Sequence, residues 1–214
     1  MQFPLTRQQF LDVFVRYNLD LWPAQMFLNL LALAALMLYF SNYRLKNRII
    51  SAILAFLFLW TGLVYHLCYF TTINKAAYLF GALFIVQGLN FLYFGMKKDG
   101  FSFEYKTDVY HWIGLGFILY GLAIYPLFGA WFGHRFPANP TFGLPCPTTI
   151  FAFGMLLLST RRIPFFMLII PLLWSLIGFM AALAFGIYED TGLLVAGIAG
   201  SMMIMIRNKK IKIQ

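Results

Sequence analysis

The chain has 214 residues, of which 62% are hydrophobic and 11% charged, against about a quarter charged in soluble proteins. Its net charge of +9 is spread over short loops, so no basic stretch is long enough for a folded nucleic-acid-binding module, and no nucleotide loop or metalloprotease motif is present. A sizeable soluble domain is excluded, and the partner these numbers imply is a lipid bilayer.

Residues 1–20 are too charged to cross a bilayer. Thr6 followed by Gln9 has the form of a capping box, and Phe10, Phe14 and Tyr17 recur at helical spacing. A short amphipathic helix from Phe3 to Asp20, lying on the outer surface, is therefore predicted. Its simplest role is to anchor the segment that follows, and a second is to cover an outer pocket. No basic segment runs into a short apolar stretch with a small-residue cleavage site, so no removable leader is expected.

A hydrocarbon core about 30 Å thick needs roughly 20 apolar residues of helix. Seven stretches answer to that, at 21–41, 49–70, 76–96, 110–132, 145–160, 163–186 and 191–206, with the fifth and seventh the shortest. The predicted fold is thus all-α, with a seven-helix transmembrane domain over 21–206 and a basic cytoplasmic tail over 207–214. Alternate loops carry most of the 16 basic residues. Arg44, Lys46, Arg48, Lys97, Lys98, Lys106, Arg161, Arg162, Arg207, Lys209, Lys210 and Lys212 fall on one side; Arg7, Arg16, Lys75 and Arg135 fall on the other. The positive-inside rule puts the richer side in the cytoplasm, with the N-terminus outside and the C-terminus inside.

A weak internal repeat accompanies this topology. Trp22-Pro23-Ala24-Gln25 opens the first span as Cys146-Pro147-Thr148-Thr149 opens the fifth, and Leu59-Trp60-Thr61 in the second matches Leu173-Trp174-Ser175 in the sixth. Spans one to three and five to seven would then be parallel units joined by the fourth, a recognised transporter plan with its site between the halves. In topology, though not in motif, the chain resembles the sugar-transporting SWEET architecture.

The densest motif runs from Pro140 to Phe151. Pro147 suits a first helical turn and Pro145 keeps the preceding chain extended. The fifth span is predicted to start there, with free N–H groups able to attract an anion or a polar oxygen. The plainer reading is a rigid helix start whose threonine hydroxyls bond their own backbone. With Trp22-Pro23-Ala24-Gln25 and Tyr65-His66, this motif makes the chain resemble the bacterial multi-pass membrane proteins of the domain of unknown function 6064 family. The resemblance extends over most of the chain and implies a membrane location and little more; the place expected for the chain is the bacterial inner membrane. It brings no activity and no functional residues.

Polar groups gather toward the outer side of this topology, where Gln25, His66, Cys146, Thr148, Thr149, Glu189 and Asp190 stand near span ends. Gln87 and Asn90 lie deeper, on one face of the third span, where polar side chains must pair or line a cavity. These nine are the candidate ligand contacts. His66, one turn below the outer surface on an apolar helix, is a candidate for proton coupling, with a bond to a neighbouring helix as the plainer alternative. Glu189 and Asp190 serve equally as a helix cap and dipole complement. Cys68 and Cys146 could pair, and Cys146 with His66 could form a nucleophile and base. No two potential metal donors have helical ligand spacing, so no metal is assigned, and the sequence names no cofactor and no oligomeric state.

The expected function is a small-molecule transporter or binding protein with an outward-facing polar pocket. The alternatives are a membrane-embedded enzyme acting on lipid or periplasmic substrate and a non-catalytic assembly factor. A polar path open at both ends favours transport, a blind outer pocket favours an enzyme, and a closed outer face favours assembly.

Overall fold

Helix α1 (Arg7–Asp20) starts at the predicted cap. The Thr6 hydroxyl accepts from the Gln9 N–H at 3.2 Å, and the Gln9 carboxamide oxygen accepts from the Thr6 N–H at 2.9 Å. The structure, a computed structural model, describes residues 5–211, so Phe3 of the predicted N-terminal helix and Lys212 of the predicted tail lie outside the described residues. The apolar stripe of α1, Phe10, Val13, Phe14 and Tyr17, is buried against the rest of the chain. At its end the chain bends by 85° into α2 (Ala24–Phe40). The Gln25 amide lies 3.3 Å from both the Tyr17 and Asn18 carbonyl oxygens, in the last turn of α1.

Helix α3 (Lys46–Trp60) runs on through a π-helical stretch, Thr61–Tyr69, and a 3-10 turn, Phe70–Thr72. Helix α4 (Ala77–Met96) returns beside it. Gly81, Gly88 and Gly95 recur every seven residues on the contact face of α4, against Gly62, Ala55 and Ser51 respectively, so small residues bring the two backbones close. Helix α5 (Val109–Leu119) passes through π-helical turns at Tyr120–Ile124 into α6 (Tyr125–Trp131). Pro126 lacks the N–H and displaces the carbonyl four residues back, which accounts for a widened turn there. Helices α7 (Pro145–Leu157), α8 (Phe166–Phe185) and α9 (Thr191–Ile211) complete the bundle.

Among the described residues, five runs are long and apolar enough to cross a membrane: Lys46–Thr72, Ala77–Met96, Val109–Trp131, Phe166–Phe185 and Tyr188–Ile211. They coincide with the second, third, fourth, sixth and seventh predicted spans. The first becomes α2, 17 residues long, which reaches spanning length only together with α1. The fifth becomes α7, whose 13 residues rise about 20 Å at 1.5 Å each, short of a core about 30 Å thick. Helix α7 is enclosed by α3, α5, α8 and α9 and is buried along nearly its whole length. Its carbonyl end meets Arg207, whose guanidinium donates to Leu157 O at 2.7 Å and to Leu156 O at 3.2 Å. A cation there also suits the helix dipole. Arg207, read from sequence as the start of the tail, is a buried residue of α9, which continues to Ile211.

The polar and apolar surfaces are inverted relative to a soluble protein. Met26, Leu30, Leu33 and Met37 of α2 and Ile169, Leu173, Leu176, Met180 and Leu183 of α8 are exposed, whereas Gln87, His66, Thr148 and Glu189 are fully buried. Loop contacts fall into two groups. One joins Arg161 to Lys98 O at 2.7 Å, Phe103 N–H to Asn47 at 2.8 Å and Asn208 to Ile163 O at 2.6 Å. The other joins α1, the 132–144 loop and the Tyr188–Asp190 turn. The main core is built around α7, and a second, aromatic cluster lies under α1.

Candidate functional site

A cavity of about 290 Å³ runs along the seam between these two clusters. Phe10 and Phe14 of α1 form part of its wall, Tyr65 and Phe70 come from the end of the α3 run, Trp174 and Phe185 from α8, and Pro145, Cys146 and Pro147 from the first turn of α7. Tyr125 and Asp190 bring polar groups to the same space. The Tyr125 hydroxyl donates to Asp190 Oδ1 at 2.5 Å, and the Cys146 thiol neighbours the Asp190 carboxylate. Among the described residues, no lysine, arginine or histidine lines the cavity.

A second polar cluster stands behind the wall. Arg7 lies 3.2 Å from His134 Nε2, and His134 Nδ1 lies 2.9 Å from Glu189 Oε1. An arginine can only donate, so Nε2 accepts from Arg7 while Nδ1 carries the proton toward Glu189. Glu189 is fully buried and its Oε2 has no hydrogen-bond partner. Gly129 allows this approach, because a Cβ there would lie 2.9 Å from Glu189 Oε1. At the far end of α1, Asn18 Nδ2 donates to Pro137 O at 2.7 Å and to Asn139 O at 2.8 Å, and its Oδ1 accepts from the Thr141 hydroxyl at 2.8 Å. Between these clamps the Trp60 indole donates to Tyr17 Oη at 2.8 Å. Burial pushes the Tyr17 phenol up in pKa, against the lowering effect of that bond, so it acts as a neutral hydroxyl.

The chain belongs to DUF6064, a family of unknown function. The family model matches residues 7–214. Comparison with curated proteins and with solved structures returns no match. The resemblance seen in the proline-rich motif is thus borne out over nearly the whole chain, while the site of this DUF6064 protein must be read from its own geometry.

Of the nine residues singled out from sequence, the fold brings Cys146 and Asp190 to the cavity and places Glu189 directly behind it. His66 is fully buried within an aromatic shell, its ring 4.9 Å from Phe84 and 5.1 Å from Trp174, with neither nitrogen hydrogen-bonded. It therefore forms no dyad with Cys146 and does not line the cavity. Gln87 donates to Met167 O at 3.1 Å, tying α4 to α8, and Asn90 is half-buried one turn further on. Gln25 is engaged at the α1–α2 bend. Thr148 and Thr149 are buried, their hydroxyls have no partner, and neither reaches the cavity. Helix α7 starts at Pro145, with Pro147 in its first turn as predicted, so two of its first three residues have no N–H, and the Thr148 N–H bonds Leu144 O at 3.3 Å. With Asp190 also adjacent, this helix start offers no anion site. Cys68 and Cys146 are both free. Among the described residues, no three His, Cys, Asp or Glu side chains gather in an arrangement that could hold a metal ion.

Tyr125, Trp174, Arg7 and His134 are not among the nine candidates taken from the sequence. Trp174 carried a signal, since it is one of the two tryptophans the repeat aligns, and Tyr125 immediately precedes the proline that reshapes its helix. Nothing local to Arg7 or His134 marks them, because their partners are 127 and 55 residues away.

Proposed function

We propose that this DUF6064 protein is a multi-pass protein of the bacterial inner membrane, with its N-terminus outside and its C-terminus in the cytoplasm, that binds a small solute in the cavity beneath α1. The observation that carries the reading is the cavity itself, an aromatic-walled space with Asp190, Tyr125 and Cys146 grouped on one side. Its volume is near the lower end of small-molecule sites, about 300–1,000 Å³. The exposed apolar faces of α2 and α8 support a lipid setting. A concave surface of Tyr43, Arg44, Arg48, Lys97 and Lys98 belongs to the basic loops that the orientation assigns to the cytoplasm, where anionic headgroups favour it.

Seven helices remain the proposed crossing elements, with α7 a short central one lodged among its neighbours. The repeat pairs α2 with α7, and their surroundings differ: α2 has an exposed apolar face and α7 is enclosed. The repeat is therefore carried better by the close α3–α4 and α8–α9 pairs than by the helices that open each unit.

Binding is favoured over passage, because Ile150 to Leu157 of α7 form a continuous buried plug at the centre of the main core. The same observation sustains the enzyme alternative, in which the pocket receives a lipid or periplasmic substrate. The first experiment places one reporter thiol in the cavity, as Ala181→Cys in a chain carrying Cys68→Ser and Cys146→Ala. Small membrane-impermeant methanethiosulfonates of either charge, added to intact cells, are expected to label it. Labelling only after the membrane is opened reverses the orientation, and no labelling in either case ends the pocket reading.

A further inference from the structure

Asp190 is the carboxylate on the cavity wall, and its charge is unbalanced. The neighbouring Glu189 is linked through the His134 imidazole, at 2.9 Å, to the Arg7 guanidinium, 3.2 Å beyond it, so a cation stands at the end of its hydrogen-bond chain. Asp190 has only neutral partners, the Tyr125 hydroxyl and the Cys146 thiol. No basic side chain forms an ion pair with it among the described residues, and none lines the cavity. Isolating a carboxylate from water without a counter-charge is among the costliest arrangements a fold can hold. It is relieved by a proton or by a cation that arrives from outside.

The wall opposite answers the same requirement. Phe10, Phe14, Tyr65, Phe80, Trp174 and Phe185 present ring surface to the cavity, and aromatic faces attract a cation through their quadrupole while receiving its hydrocarbon part by ordinary apolar contact. A free anion meets Asp190 and no donor cluster, and a sugar meets too few hydrogen-bonding groups to replace its hydration. Aromatic faces with one uncompensated carboxylate fit a positively charged centre on a compact apolar body.

We propose that the cavity beneath α1 recognises an organic cation, a small amine or quaternary ammonium compound with an aromatic or alkyl body, its charged end at Asp190 and its body against Trp174 and the phenylalanines. This names the ligand class for the binding role proposed above and rests on it. Gly178, also on this wall, lets α8 approach α9 closely, since a Cβ there would lie 2.8 Å from Leu193 Cδ2.

The test uses the full chain in lipid nanodiscs and equilibrium binding of labelled phenyltrimethylammonium, with empty nanodiscs as the background. Its uncharged isostere, tert-butylbenzene, serves as competitor. Saturable binding is expected, with tert-butylbenzene about tenfold or more weaker than unlabelled phenyltrimethylammonium in displacing the probe. Asp190→Asn, which keeps the size of the side chain and an acceptor for Tyr125, is expected to weaken binding by a similar factor. Equal displacement by the two compounds overturns the cation assignment while leaving an apolar pocket in place, and because it is measured on the unaltered chain it does not depend on how the variant folds. Unchanged affinity in a folded Asp190→Asn protein overturns it as well. Absence of saturable binding also overturns it, and the Ala181→Cys labelling then reports separately on whether the cavity is open.

Discussion

Asp108 accepts the His111 N–H at 3.1 Å and meets the His111 ring Nδ1 at 2.7 Å, so one carboxylate caps α5 and orients a buried imidazole. Burial pushes its pKa up, but the hydrogen bonds from the His111 ring and backbone outweigh that and hold it below the usual carboxylate value. A carboxyl with a depressed folded pKa contributes stability that is complete above its unfolded pKa and is lost as pH falls through the folded one. Asp108→Ala is expected to cost about 1 kcal/mol at neutral pH, as loss of a cap does. Asp108→Asn keeps an acceptor and should cost less, while flattening the acid limb of the stability curve. Thermal unfolding in detergent between neutral pH and the carboxylate range measures both, and identical acid limbs for Asp108→Asn and the unaltered protein would remove the charge from this account. At this scale the sequence is a good guide to depth and a poor one to direction. His66 reads as the functional histidine because it is the single strongly polar side chain on an apolar stretch, yet the π-helical path of Thr61–Tyr69 turns it into rings of Phe70, Phe80, Phe84 and Trp174. A period of 3.6 assigns azimuth only while the helix keeps that period.

Helix α7 shows the same limit at the level of an element. Its apolar composition is that of a membrane span, but hydropathy measures only whether a side chain avoids water, and a helix enclosed by other helices satisfies that as well as one facing lipid. The glycines of the α5–α7 pair carry the information that hydropathy lacks. A Cβ on Gly154 would lie 2.7 Å from the Gly114 carbonyl oxygen and 2.7 Å from Ile118 Cγ1, so the α5–α7 approach requires bare backbone there. On the same α5, Gly116 has no heavy atom within 4 Å of a built Cβ. Gly154→Ala is expected to destabilise by about 1–3 kcal/mol through forced separation of the helices. Gly116→Ala is expected to be neutral or to stabilise by up to about 1 kcal/mol, since it only improves helix propensity. Unfolding temperatures of the two single variants decide the matter, and a harmless Gly154→Ala would mean that α7 is not held against α5 as closely as the structure has it. The capping box of α1, by contrast, was legible residue by residue, because Thr6 and Gln9 satisfy each other within one turn and need nothing from the rest of the chain.

Across the whole molecule, two clamps decide whether the cavity is covered. Asn18 fixes the end of α1 to the 137–141 loop, and Arg7 fixes its start to His134 and through it to Glu189. Between them Phe10 and Phe14 form part of the cavity wall, so movement of α1 is movement of that wall. The two members of the second clamp differ in setting: Arg7 is exposed, whereas His134 and Glu189 are 3% and 0% exposed. Removing an exposed partner costs little global stability, typically below about 1 kcal/mol, while stripping the partner from a buried carboxylate costs about 3–5 kcal/mol. Arg7→Ala should therefore leave the unfolding temperature nearly unchanged yet speed amide exchange in α1, since it frees that end of the helix while Glu189 keeps its imidazole. His134→Ala should lower the unfolding temperature and speed exchange together. Hydrogen exchange read by mass spectrometry on peptides from 7–20, beside thermal unfolding, separates the two effects. Unchanged exchange in Arg7→Ala would assign the hold on α1 to Asn18 and the aromatic stripe alone, and the helix would then be a fixed wall of the cavity; faster exchange makes its first turn the part that yields when a solute enters.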